Sequence, residues 1–117
     1  WIRAVPAMMT NTSGYLQINN NTQNDLVLTG VRVSFAESAE IHTITTSNGL
    51  MSMGPASMPI RIKAGTMLEF KPKGLHIMIM GLKSALKYET NYQIELIFET
   101  HEAIRFNAIV AMDSVGH

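Results

Sequence analysis

An antiparallel all-β fold is predicted by three features of this 117-residue chain. Apolar and polar residues alternate at period two in short runs. Turn signals separate those runs about every 8–12 residues, and no strand–helix alternation is present. Such spacing predicts a sandwich or barrel rather than a doubly wound nucleotide-binding fold. Hydrophobic residues make up 46% of the chain, enough for one core, so residues 1–117 are read as a single domain with a short tail from about residue 112.

The elements follow in order. Residues 14–19 alternate, with Tyr15 and Gln17 on one side and Leu16 and Ile18 on the other. A polar loop over 19–25 leads to a β-branched and aromatic strand over 26–35. Residues 40–46 form a threonine-rich strand, Ser47-Asn48-Gly49 is a turn signal, and 50–53 runs back as the second arm of a hairpin. Short strands are expected over 60–63 and 67–71, with Ala64-Gly65 and then Pro72-Lys73-Gly74 as turns. Residues 75–80 form a further strand, and 81–89 is the one segment suited to a short helical turn. The last two strands cover 92–99 and 103–111, joined by a tight connection at His101-Glu102. Asn11-Thr12-Ser13 and Asn20-Asn21-Thr22 match the glycosylation pattern but read as polar loop sequence.

Composition excludes several functions. With no cysteine, the chain has no thiolate zinc or iron–sulfur site, no cysteine nucleophile and no blue-copper centre. Nine basic residues balance nine acidic ones, so the electrostatic surplus that binds nucleic acid is missing. No stretch of about 18 apolar residues is present to span a membrane. No acid pair, activated nucleophile or oxyanion motif is evident, and the chain is read as a non-enzyme. It opens at Trp1 without an initiator methionine, which predicts an exported chain whose leader has been removed.

Nine methionines are the unusual feature. In the strand Leu75-His76-Ile77-Met78-Ile79-Met80, alternation puts His76, Met78 and Met80 on one face and the aliphatic residues on the core face. The hairpin supplies a second pair, because folding at the turn brings His42 near Met53 or Met51. Two imidazoles and two thioethers form a soft, neutral donor set. That set suits Cu(I), whereas calcium and magnesium want oxygen. Met80 and Met51 are expected to line the same face. Met8 and Met9 read as surface residues, and Met58, Met67 and Met112 as core filling. His101 reads as a solvated turn residue, and Trp1 as a packing residue near the strand ends.

The spacing His42-x10-Met53-x22-His76-x-Met78 resembles the PCu(A)C family of periplasmic copper chaperones, whose pattern is His-x10-Met-x21-His-x-Met. The middle spacer is one residue longer here, and the extra residue is placed in the 54–65 loop. Trp1-Ile2-Arg3-Ala4, residues 14–18 and the block from Ile62 to Met78 also resemble the family, so the likeness spans Trp1 to about Ala111. The resemblance implies a cupredoxin-like β-sandwich of Greek-key type and a metal site of His42, Met53, His76 and Met78. It further implies a monomeric, periplasmic Cu(I) carrier that delivers copper to an acceptor such as the binuclear copper centre of cytochrome c oxidase, or that works with a Sco-type thiol protein. The rival expectation is a β-sandwich adhesion module without metal, binding its partner along a strand edge.

Overall fold

A computed structural model describes residues 1–99 and 102–112, and the expectations for His101 and for the tail beyond Met112 lie outside them. The strands are Ile2–Arg3 (β1), Asn11–Gly14 (β2), Leu16–Asn19 (β3), Leu26–Val33 (β4), Ala36–Ser47 (β5), Leu50–Pro55 (β6), Ile60–Ile62 (β7), Met67–Phe70 (β8), His76–Leu82 (β9), Asn91–Phe98 (β10) and Ile104–Ala111 (β11). Nine of them form one sheet in the order β6-β5-β9-β2-β1-β11-β10-β4-β7, and β3 pairs with β8 apart from it. The large sheet curls so that β4 packs across β5. The all-β prediction holds, and the pairing is antiparallel except between β1 and β11, which run parallel.

Alternation builds the core. Ile94, Leu96 and Phe98 on β10, Ala108 and Val110 on β11, and Ile77 and Ile79 on β9 are all buried. Apart from the small Ala108, each of these side chains contributes roughly 1.5–3 kcal/mol on full burial. Ile2, Leu28, Ile41 and Ile62 belong to the same cluster.

The structure departs from the sequence reading in three places. The strand expected over 14–19 is two strands. Gly14 pairs with Ile77 in the large sheet, whereas Leu16 to Asn19 pair with β8. The chain changes sheets at Tyr15, so side-chain parity resets there and Tyr15 is buried together with Ile18. The helical turn expected at 81–89 is not formed. Strand β9 continues to Leu82, through Gly81 at φ +72°, where a Cβ would lie 2.8 Å from the Glu37 side chain. Of the two glycosylation-like triplets, Asn11 to Ser13 lie in β2 rather than in a loop, whereas Asn20 to Thr22 follow β3 in the expected loop, with Asn20 buried and donating to the Asn24 and Ile62 carbonyls at 2.9 Å each.

Glu95 on β10 is held between Arg32 on β4 and Arg105 on β11, with Arg105 Nε donating to Oε2 at 2.7 Å. Its carboxyl lies below the ordinary range, first because Arg32 donates to it, and Arg105 adds to the effect against the opposing cost of desolvation. A lowered acid favours the folded state above its unfolded pKa and loses that support as pH falls through the folded one. Wild-type stability in urea is therefore expected to decline between about pH 4.3 and lower pH, and Glu95→Gln is expected to flatten the decline.

Candidate metal centre

The 42–53 hairpin forms as expected. Ser47 pairs with Leu50 across a two-residue turn in which Asn48 has φ 52° and Gly49 φ 78°. Both values are positive, as a type I′ turn requires. Strand β9 lies on the other side of β5, and the register sets His42 directly opposite His76 and Glu40 opposite Met78. On the far side of β9, Ser13 of β2 is also opposite Met78. Directly paired residues share a sheet face, so His42, Glu40, His76, Met78 and Ser13 all project from the side opposite Ile77 and Ile79.

Two imidazoles stand at the centre of this face with ring centroids 6.0 Å apart. His76 is 4% exposed. Its Nδ1 lies 2.9 Å from the Gly74 carbonyl oxygen, which can only accept, so Nδ1 carries the proton. The lone pair of Nε2 is then free, and it faces the Met53 sulfur at 3.0 Å. His42 is organised the other way round. Its Nε2 is 3.0 Å from the Glu40 carboxylate and donates to it, while Nδ1 is buried without a hydrogen-bond partner. A buried acceptor left unpaired costs about 1–3 kcal/mol, so His42 presents a lone pair that a cation would satisfy.

Met53 sits opposite Ile44, diagonal to His42, whose direct partner on β6 is Pro55. From that position its thioether reaches His76, two strands away. Met51 lies two residues nearer the turn, opposite Thr46, on the same face. Met78 shares the face, but its sulfur lies 3.9 Å from the Ser13 hydroxyl. The structure thus brings His42, His76 and Met53 together and places Met78 beside them, engaged by Ser13. A thioether on three rotatable bonds needs only a rotamer change to turn inward. Among the described residues, no three His, Cys, Asp or Glu side chains are grouped to hold a metal ion.

The exposure pattern differs from a packed-methionine picture. The histidines are covered and Met53 is 54% exposed. Met8, Met9, Met51, Met58, Met67 and Met112 are exposed as well, and Met78 and Met80 are half-buried. The core role expected for Met58, Met67 and Met112 is therefore corrected. In β8, for example, Leu68 and Phe70 take the inward positions and alternation turns Met67 outward. Trp1 packs on Tyr15 with centroids 4.7 Å apart, and the Arg3 guanidinium lies 5.5 Å from its ring centroid.

Sequence reasoning missed Glu40, Ser13 and Gly74. Glu40 carried a legible signal, because it lies two residues before His42 on one strand face. Ser13 and the Gly74 carbonyl are seen only once pairing and chain path are known.

This curled β-fold is the fold of PCuAC domains. The apo PCuAC domain from PmoF1 superposes with a TM-score of 0.77 at 23% identity, covering 95% of this chain and 88% of that one. The copper-bound PCuAC domain from PmoF2 superposes with a TM-score of 0.74 at 18% identity, covering 94% and 86%. The chain belongs to the LpqE-like family, which it matches over residues 1–110 and which is described as "Putative lipoprotein LpqE-like". A relative from Leifsonia xyli subsp. xyli, "Putative lipoprotein Lxx21020", is 34% identical over 98 residues, which is 84% of this chain and 58% of that protein. The chain thus spans somewhat over half the length of this relative.

Proposed function

We propose that residues 1–117 are one copper-carrier domain that binds a single Cu(I) through His42 Nδ1, His76 Nε2 and the sulfurs of Met53 and Met78. The observation that carries this reading is the pair of imidazole lone pairs on one sheet face. One is buried without a partner and the other is 3.0 Å from a methionine sulfur. The donors are soft and neutral, the kind that favours Cu(I). The copper held by the PCuAC domain from PmoF2, which shares the fold, supports the choice of metal.

The geometry favours a carrier over an enzyme. Met53 is exposed and Met78 has the Ser13 hydroxyl as an alternative partner, so thioethers can leave one at a time while the imidazoles hold the ion. The chain would act as a monomer outside the cytoplasm, in keeping with its lipoprotein relatives. It would pass copper to an acceptor such as the binuclear centre of cytochrome c oxidase, or to a Sco-type thiol protein. Among the described residues no helix is long and apolar enough to cross a membrane.

Substitution of two methionines tests the site. Met78→Leu is expected to weaken Cu(I) binding by about tenfold or more, at least ~1.4 kcal/mol. Met67→Leu, on β8 outside the large sheet, is expected to leave it unchanged. The readout is competition with a chromophoric Cu(I) chelator without oxygen, and equal losses in the two variants would remove Met78 from the site. A metal-free adhesion module is the second reading, favoured by the exposed Leu50, Met51 and Met53 along β6 at the sheet edge. It predicts no copper retained after dialysis.

A further inference from the structure

We propose that Glu40 is the positioning residue that makes His42 a metal ligand, an inference that rests on the copper-carrier reading. A neutral imidazole has one proton to place, and whichever nitrogen carries it cannot bind a metal. His76 settles the choice with a backbone carbonyl, the Gly74 oxygen 2.9 Å from Nδ1. His42 has no such partner and settles it with a side chain. Glu40 Oε1 lies 3.0 Å from His42 Nε2, and a carboxylate only accepts, so the proton is drawn to Nε2. The lone pair is left on Nδ1, the nitrogen that is buried and unpaired. The two histidines therefore present opposite ring nitrogens, each because its other nitrogen is tied down from outside.

The strand geometry explains why Glu40 can do this. Residues two apart on a strand point the same way, and β5 sets Glu40 opposite Met78 while His42 is opposite His76. The carboxylate thus belongs to the same four-residue block of the sheet as the imidazoles and the second thioether. The Glu40 side chain is 55% exposed. An exposed ion pair or hydrogen bond of this kind adds little to folding, so the consequence of the contact falls on ring orientation and tautomer. A histidine ligand held by a carboxylate through its second nitrogen is a recurring outer-shell arrangement in metal sites, and loss of such a partner typically costs 10–100-fold in affinity.

Glu40→Ala and Glu40→Gln separate the possibilities, because the glutamine side-chain oxygen still accepts from Nε2. Cu(I) competition with a chromophoric chelator is expected to show about 10–100-fold weaker binding in Glu40→Ala and near wild-type binding in Glu40→Gln. Urea midpoints of both apo variants should match the wild type. Nitrogen-15 NMR of the imidazoles in apo protein gives a readout that needs no copper. Wild-type His42 should carry its proton on Nε2, Glu40→Ala should lose that preference, and His76 should keep its proton on Nδ1 throughout. A Glu40→Ala variant with wild-type affinity and an unchanged His42 tautomer overturns the proposal, as does a Glu40→Gln variant as weak as Glu40→Ala. A wild-type chain that fails to bind Cu(I) defeats the carrier reading instead. Glu40 is then judged on the apo signature, and its role stands only if Glu40→Ala changes the tautomer.

Discussion

His76→Ala is expected to lower Cu(I) affinity by more than about 100-fold, beyond the roughly 10–100-fold typical of losing an outer-shell partner. Three features put His76 first among the four proposed ligands. It is the most enclosed of them at 4% exposure, its ring is oriented by the Gly74 carbonyl, and its free nitrogen faces the Met53 sulfur at 3.0 Å. Met53 can swing away on a flexible side chain, and Met78 has the Ser13 hydroxyl as an alternative partner. The His76 imidazole has no second position of that kind. Alanine removes the nitrogen donor and also leaves Met53 without its contact across β5. The fold should survive, because His76 projects from the face opposite Ile77 and Ile79. Chelator competition reads the affinity and far-ultraviolet circular dichroism reads the fold. A folded His76→Ala protein with wild-type affinity would refute the proposed site.

Much of this arrangement was legible because it depends on local periodicity. Alternation over residues 75–80 placed His76 and Met78 on one face and Ile77 and Ile79 in the core, and the structure keeps that division. The Asn48-Gly49 turn announced the hairpin that carries His42 and Met53, since few other dipeptides accept two positive φ values in succession. What the sequence left open depends on pairing between distant segments. Nothing local marks Tyr15 as the point where the chain leaves one sheet for another, and nothing marks the parallel pairing of β1 with β11. The turn signal alone leaves open whether Met51 or Met53 comes nearer His42. The register of β5 on β6 resolves this with Pro55 directly opposite His42, so Met53 approaches diagonally. The exposure of the histidines and methionines was also hidden. Period two tells which residues share a face, but which of them are covered depends on how far β6 and the 71–75 turn close over that face.

Ile79→Ala is expected to destabilise the apo protein by about 2–5 kcal/mol, a large part of the roughly 5–15 kcal/mol typical of a domain. Ile79 is 0% exposed on β9, which is hydrogen-bonded to β5 on one side and β2 on the other. Its neighbours leave little room for collapse into the cavity. Gly14 on β2 already brings its backbone close, since a Cβ there would lie 3.7 Å from the Ile79 Cδ1 atom. The lost methyl groups therefore leave a void that the sheet cannot close. Yet Ile79 points away from the imidazoles, so the native fraction should bind Cu(I) with near wild-type affinity. Binding to the native state alone adds stability by mass action, about 2.7 kcal/mol when free ligand is 100 times the dissociation constant. Copper should thus raise the urea midpoint of Ile79→Ala nearly as much as it raises that of the wild type. In His76→Ala it should raise it hardly at all. Urea denaturation of the three proteins, with and without Cu(I) under anaerobic conditions, measures both effects together. A loss below about 1 kcal/mol in Ile79→Ala would mean the β9 core face is looser than the packing around Gly14 implies. An equal copper-induced gain in all three proteins would place the ion elsewhere than between the hairpin and β9.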